Sequence, residues 1–391
     1  MSAVTLSPVI VPATLPLVRD APRPPELRDE RYAGQFDWRT VFYDVFRVGR
    51  HIVFQGPPFL NFEAVLANDP WFRPRLSGWF PAGRIVHRHR CDEIRVRSDD
   101  DALTLDGELD RHRISVQPNE AHRFAGRRVL HTLSKDNDVR WIVEWTRFHA
   151  RAHGADGLLL YDNASTAYDA NELQSRLVEA CPEVAVTVVG WPFPYGPQGG
   201  LAGAVGGRET PWDSDFCQTG SMQHARVRFL SAARSVLNAD IDELVVSPTG
   251  ESVFAATEAA RGGFLKFEGR WISTASPAPR PANDSGVGDF LYRDTRETET
   301  CPPKWCLVPN ERAQRRCTWS VHNLFGSRQN RRLTDRFVYR HLRGLSNDWK
   351  YERSTPIPWD AERFVRDEAL AAALVRAELL PPNLPTPQPA M

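Results

Sequence analysis

The sequence predicts an α/β protein: a mostly parallel sheet flanked by helices, with a small β-rich region on its N-terminal side. Two observations carry that expectation. Between Arg127 and Val246, strand-like apolar runs alternate with segments of helical periodicity, the pattern of strand–helix–strand units in a parallel sheet. The polar clusters of the same stretch fall where the strand-like runs end, and open α/β sheets bind ligands at those carboxyl ends.

Residues 1–34 are rich in proline and lack periodicity, which predicts an extended arm. Residues 35–125 carry short strand-like pieces, such as Arg84-Ile-Val-His-Arg-His89 and Glu93-Ile-Arg-Val-Arg97, with turn clusters such as Ser98-Asp-Asp-Asp101. The main domain is expected over 126–357. It opens with a buried strand at Val129–Leu133 and a polar loop, Ser134-Lys135-Asp136-Asn137-Asp138. Val139–His153 follows as a helix with Trp141, Trp145 and Phe148 on one face. The apolar run Gly157–Tyr161 ends in Asp162-Asn163-Ala164-Ser165. A helix at Ala170–Cys181, a strand at Val184–Val189, a Pro/Gly-rich loop from Trp191 to Gly207 and a helix at Ser221–Arg234 come next. One strand is expected over Ser235–Val246 and another over Gly263–Trp271. Residues 358–391 read as an amphipathic helix, Pro358–Leu380, and a Pro-rich tail.

Composition bounds the function. With 391 residues, 41% of them hydrophobic and 25% charged, the chain has ample material for one large core or two modest ones. Its 49 basic residues balance 49 acidic ones, so no global field draws it to nucleic acid. Only four of the basic residues, Lys135, Lys266, Lys304 and Lys350, are lysine. In so arginine-rich a chain they mark candidate positions where a compact ammonium is needed. The six cysteines form no Cys-x-x-Cys and read as reduced, structural thiols. The uncharged stretch Ser2–Val18 is short and broken by three prolines, so neither a transmembrane segment nor a signal peptide is expected. The expected location is the cytoplasm, at most peripheral to the inner membrane.

The strongest chemical signal is Asp240-Ile241-Asp242-Glu243, three acids inside the otherwise apolar Ser235–Val246. In an extended chain residues i and i+2 point to one side, so Asp240 and Asp242 would present two carboxylates together. Such a pair is relieved by a raised pKa, a basic partner or a divalent cation taking both as hard oxygen ligands. The plain alternative is a solvated strand end. Asp162-Asn163-Ala164-Ser165 likewise has a structural reading, a turn that caps the following helix.

Taken in order, these pieces resemble glycosyltransferase family 92 and family 2-like bacterial glycosyltransferases. The carrying segments are Ser134-Lys135-Asp136-Asn137, Glu144-Trp145 with His149 and Gly154, and Leu160-Tyr161-Asp162-Asn163 with Ser165. They continue with Gln223, Asp240-Ile-Asp242-Glu243-Leu244, Pro303-Lys304-Trp305, Val321-His322, Arg340-His341-Leu-Arg343 and Trp349-Lys350. The resemblance implies a GT-A, Rossmann-like fold and transfer of a sugar, with galactose favoured, from a UDP-sugar to a glycan or polysaccharide acceptor, with inversion, in surface or capsular polysaccharide assembly. It implies that Ser134, Lys135, Asp136, Asn137, Asp162, Asn163 and Gln223 hold the nucleotide-sugar. Asp240 would reach the ribose, and Asp240, Asp242 and His322 would bind Mn²⁺ or Mg²⁺. Lys304, Arg343 and Lys350 would neutralise the departing diphosphate, and Glu268, with Asp348 second, would take the acceptor proton. The chain departs from the pattern in its first loop and at Phe267–Trp271. A haloacid-dehalogenase-like phosphatase with Asp240 as nucleophile, and a non-catalytic carbohydrate-binding subunit, are the alternatives. Leu244 stands where the phosphatases usually carry Thr or Val.

Overall fold

The computed structural model describes residues 4–197, 204–205, 208–209, 213–281, 284–312, 314, 317–346 and 354–382. Asp348 and Lys350, and part of the loop from Trp191 to Gly207, lie outside them.

The N-terminal region is a four-stranded antiparallel sheet in the order β1 (Asp44–Val48), β2 (His51–Gly56), β4 (Cys91–Arg97), β3 (Gly83–Arg88), followed by a hairpin of β5 (Ala102–Gly107) and β6 (Asp110–Ser115). The β-rich expectation for 35–125 therefore describes this region. The arm is extended but pinned. Val9–Ile10 pairs with Thr40–Phe42, and Val4 bridges to Val189 of the central sheet. Buried Arg19 donates to the carbonyls of Asp37, Pro58 and Thr40, while Arg23 and the Tyr32 hydroxyl both bind Asp213.

The main domain supplies β7 (Arg128–Ser134), α1 (Val139–His153), β8 (Gly157–Asp162), α2 (Ala170–Ala180), β9 (Ala185–Gly190) and α3 (Phe216–His224). Then come β10 (Ser235–Asn238), β11 (Glu243–Val246), α4 (Val253–Ala259), β12 (Phe264–Ile272), β13 (Thr300–Leu307) and β14 (Val338–Leu342). Eight of these strands form one sheet in the order β9-β8-β7-β10-β13-β12-β14-β11. Pairings β9/β8, β8/β7, β7/β10 and β12/β14 are parallel, the other three antiparallel. The fold is thus mixed α/β, with a mostly parallel sheet flanked by helices and separate smaller β-sheets.

Alternation along the strands splits the core between two faces. Leu158 and Leu160 join the cluster under α1 and α2, whereas Leu159 and Tyr161 join the cluster of Trp191, Trp305 and Trp319 on the other side. The predicted helix α1 forms because Trp141, Trp145 and Phe148 fall on its buried face. Asp138 accepts from the Arg140 N–H at its start, and Gly154, at φ +75°, closes its end in the left-handed region. All six cysteines are buried thiols outside any disulfide. Among the described residues no helix is long and apolar enough to cross a membrane.

Three sequence expectations need correction. Ser235–Val246 is not one strand. It is β10 and β11, four positions apart in the sheet, joined by a turn in which the Glu243 N–H donates to the Asp240 carbonyl at 3.0 Å and the Glu243 carboxylate accepts from the Asp240 N–H at 2.9 Å. The helix placed at Ser221–Arg234 begins at Phe216 and passes into a π-helical turn at Ala225–Phe229. Pro358–Leu380 contains a strand, Phe364–Arg366, paired with Tyr292–Asp294, before α5 (Glu368–Arg376). Asp367 accepts from the Leu370 N–H there and so sets the helix start later than amphipathicity alone suggested.

A buried polar network joins the N-terminal sheet to the main domain. Asp44 on β1 takes Arg228 Nη1 at 2.6 Å, His224 Nε2 at 2.9 Å and the Ser7 N–H at 2.8 Å, and the Tyr161 hydroxyl meets His224 Nδ1 at 2.8 Å. Burial would push the Asp44 carboxyl up, but His224 and Arg228 hold it below its ordinary value. Replacing Asp44 by Ala strands a buried guanidinium. We expect Asp44→Ala to lose about 3–5 kcal/mol in urea unfolding.

Candidate functional site

A cleft of 580 Å³ opens at the carboxyl ends of β7, β8 and β10. Strands β7 and β10 are neighbours, yet the chain leaves β7 toward β8 on one side and returns to β10 on the other. The connections that follow them run to opposite sides at this reversal of strand order, and the crevice there is the usual place for a ligand in an open α/β sheet.

The crevice gathers Ser134, Lys135, Asn137, Asn163, Asp240, Asp242 and His322 from the residues singled out in the sequence. Each is held by its element. Ser134 ends β7, and its Oγ accepts from Asn137 Nδ2 at 2.8 Å. Asn163 follows β8, and its amide donates to the carbonyls of Trp191 and Phe193 at 2.8 and 2.9 Å. The segment carrying His322 is fixed by four donors: Asn238 Nδ2 to the Val321 carbonyl, Trp305 Nε1 to the Ser320 carbonyl, Gln223 Nε2 to the Trp319 carbonyl and Lys266 Nζ to Asn323 Oδ1. His322 Nδ1 lies 3.1 Å from the Pro303 carbonyl, which can only accept, so Nδ1 carries the proton and the lone pair of the neutral ring is on Nε2.

The acidic turn rests on a buried cation. Lys304 Nζ reaches Asp240 Oδ2 at 2.7 Å and Glu243 Oε2 at 3.0 Å, and its side chain is 1% exposed. On the other side His341 Nε2 binds Asp242 Oδ2 at 2.9 Å, with its ring stacked 4.2 Å from Trp271. These partners divide the acids electrostatically. Burial disfavours the Asp240 anion, but the Lys304 ammonium outweighs it and holds the carboxyl at about 2. Burial pushes Glu243 up to about 7, with Asp240 adding to the effect against Lys304. Burial also opposes charge on His341, yet the Asp242 carboxylate beside it raises the ring to about 10. The electrostatics thus favour an ionised Asp240, a Glu243 that keeps its proton up to about pH 7 and a cationic His341 paired with Asp242.

Other anticipated residues sit elsewhere. Asp136 is spent on its loop: its Oδ1 accepts from the N–H groups of Thr166 and Ala167, the latter at 3.1 Å. Asp162 Oδ1 accepts from the Ser165 hydroxyl, the turn reading of that segment. Gln223 supports the crevice from behind. Lys304 lies beneath the acidic turn and does not line the crevice. Arg343 pairs with Glu297 at 2.6 Å and stacks over Trp271 at 4.6 Å. Glu268 is exposed on β12 at a bulge and is not part of the lining. Among the described residues no three His, Cys, Asp or Glu side chains are grouped to hold a metal ion by themselves.

Several lining residues were not anticipated: Arg90 from the N-terminal sheet, Tyr195, Asp215, Gln218, Trp271, Phe325 and Tyr339. His341, quoted only as part of a motif, is the partner of Asp242. No spacing in the sequence points to these residues, because each reaches the crevice from a segment remote from the acidic turn.

Both unusual ionisations predict one pH trend. Glu243, raised from 4.5 to about 7, keeps its proton in the folded state where the unfolded chain has released it, so stability falls as pH rises across that window. His341, raised from 6.5 to about 10, contributes stability that is full below 6.5 and lost as pH rises through 10. In metal-free buffer the urea midpoint should fall from pH 5 to 7, and Glu243→Gln should flatten that limb while leaving the one above pH 7. Lys304→Met should cost about 3–5 kcal/mol at pH 8 and less at pH 5, where the abandoned carboxyls take up protons. Set against known proteins, the chain matches no protein-family model and no curated protein sequence.

Proposed function

We propose that the crevice binds a sugar-nucleotide diphosphate together with a divalent cation, and that the protein is a glycosyltransferase passing the sugar to a glycan hydroxyl. The observation that carries this reading is the convergence, at the reversal of strand order, of the loop Ser134–Asn137, Asn163 and the acidic turn Asp240–Glu243.

The parts suit such a ligand. Ser134, Asn137 and Asn163 offer short polar side chains at one end, apt for nucleoside edges and hydroxyls, and a site built from such groups rejects analogues that lack them. Asp240 and Asp242 present carboxylates at the centre. A small hard cation commonly takes one or two protein carboxylates and completes its shell with phosphate oxygens and water. With no complete protein cage among the described residues, Mn²⁺ or Mg²⁺ would arrive with the diphosphate, and His322, which lines the same crevice, would offer its Nε2. When bound, the cation supplies charge neutralisation at the diphosphate.

An acceptor hydroxyl must lose a proton as it attacks the anomeric carbon. Among the described residues, the carboxylates that line the crevice are Asp215, Asp240, Asp242 and Glu243, and Glu268 is not one of them. Lys304 acts from below the floor: it fixes the acidic turn and leaves the diphosphate to other cations.

Calorimetric titration with UDP checks the reading. Wild-type protein should bind UDP at least about tenfold more tightly with Mn²⁺ than with EDTA. Asp242→Asn should lose that dependence while its far-UV circular dichroism stays unchanged. Wild-type protein that neither binds UDP nor releases it from a panel of UDP-sugars would sink the proposal.

A further inference from the structure

We infer that Arg90, carried by the N-terminal sheet, is a binding residue for the diphosphate in the crevice. The inference rests on the reading of the crevice as a nucleotide-diphosphate site and names a cation from a region that the sequence left without a role.

The hairpin of β3 and β4 ends in His89-Arg90, and this tip reaches across to the main domain. The His89 ring stacks on Phe325 with centroids 3.5 Å apart and planes at 27°. Arg90 Nη1 binds Asp215 Oδ2 at 2.9 Å, and Arg90, Asp215 and Phe325 all line the crevice. Two separate contacts thus aim one guanidinium into the site. A guanidinium has five donors in a fixed fork, so it can serve a carboxylate and a phosphate at once.

The backbone supports a placement made for function. Among the described residues seven non-glycine positions have positive φ; two of them, Arg90 at +59° and Asp215 at +60°, line the crevice, and two more, Asp136 at +49° and Ala164 at +53°, adjoin lining residues. Asp tolerates the left-handed region, whereas Arg is uncommon there. Both halves of the Arg90–Asp215 pair occupy it. Such conformations persist where surrounding structure over-determines them, and they concentrate at ligand sites.

Elimination points the same way. A departing diphosphate needs preorganised positive charge. Lys304 is committed to Asp240 and Glu243 under the floor, and Arg343 is committed to Glu297 outside the lining. Among the described residues, the Lys and Arg side chains that line the crevice are Lys135 and Arg90. Burial lowers Arg90 only to about 10, so it remains a cation at neutral pH. The diphosphate would then lie among the acidic turn and these two cations, which line the same crevice.

Titrations with UDP, uridine and inorganic pyrophosphate, each with Mg²⁺, test this. Arg90→Ala should weaken UDP and pyrophosphate about 10- to 100-fold, as expected for a lost bond to a charged group, and leave uridine unchanged. Arg90→Lys should recover part of the loss, and melting curves of both variants check that the hairpin stays docked. Unchanged pyrophosphate binding by Arg90→Ala, or an equal loss for uridine, overturns the assignment. Wild-type protein that binds pyrophosphate through Arg90 but not UDP overturns the nucleotide reading and keeps Arg90. Wild-type protein that binds neither overturns both.

Discussion

The site depends on one buried ammonium. Three acids in four residues repel each other, and holding two of them beside the buried Glu243 without compensation would force protonation or unfolding. Lys304 resolves the conflict. It stands on β13, one residue beyond the Asn238–Trp305 pair, and reaches up to Asp240 and Glu243 together. Because β13 runs antiparallel beside β10, the cation is delivered by the sheet and not by a flexible loop. The turn from β10 to β11 can then close on itself through two hydrogen bonds between Asp240 and Glu243.

From that turn the rest of the crevice is organised outward. His341 on β14 takes up Asp242, and Asn238, Trp305, Gln223 and Lys266 tie down the segment bearing His322. These supports come from strands and a helix, so the wall around the acids is preorganised. The lining is completed by loops, Ser134–Asn137, the segment after β8 and the tip of the N-terminal hairpin, and the positive-φ residues Arg90, Asp136 and Ala164 lie in them. A rigid acidic floor beside conformationally demanding loops is the arrangement expected where one part orders charge and the other recognises a ligand.

The N-terminal sheet belongs to this design. Asp44, His224, Arg228 and Tyr161 lock it to the central sheet through a network with almost no exposed surface, and the docked arm adds Arg23 and Tyr32 around Asp213. Each charge is paired, so the interface avoids the cost of an orphaned buried ion. Its consequence is positional: the β3–β4 tip is held against Phe325 and Asp215 at the mouth of the crevice.

Local pattern by itself determined the succession of strands and helices from Arg128 to Gly190, because alternation and 3.6-residue periodicity are properties of neighbours in the chain. It also located the acidic triplet and the polar strand ends, since charged residues within apolar runs stand out without any partner. Tertiary structure decided what those residues do. Asp136 and Asp162 became loop braces, Lys304 a buried counter-ion and Glu268 a surface residue, outcomes set by contacts with groups up to 64 positions away. That Asp240 and Asp242 sit in a turn between strands four places apart, and that Arg90 lines the same crevice, follows from strand order and domain docking. Pairing between distant segments leaves no period in a sequence, which is why only the folded chain reveals it.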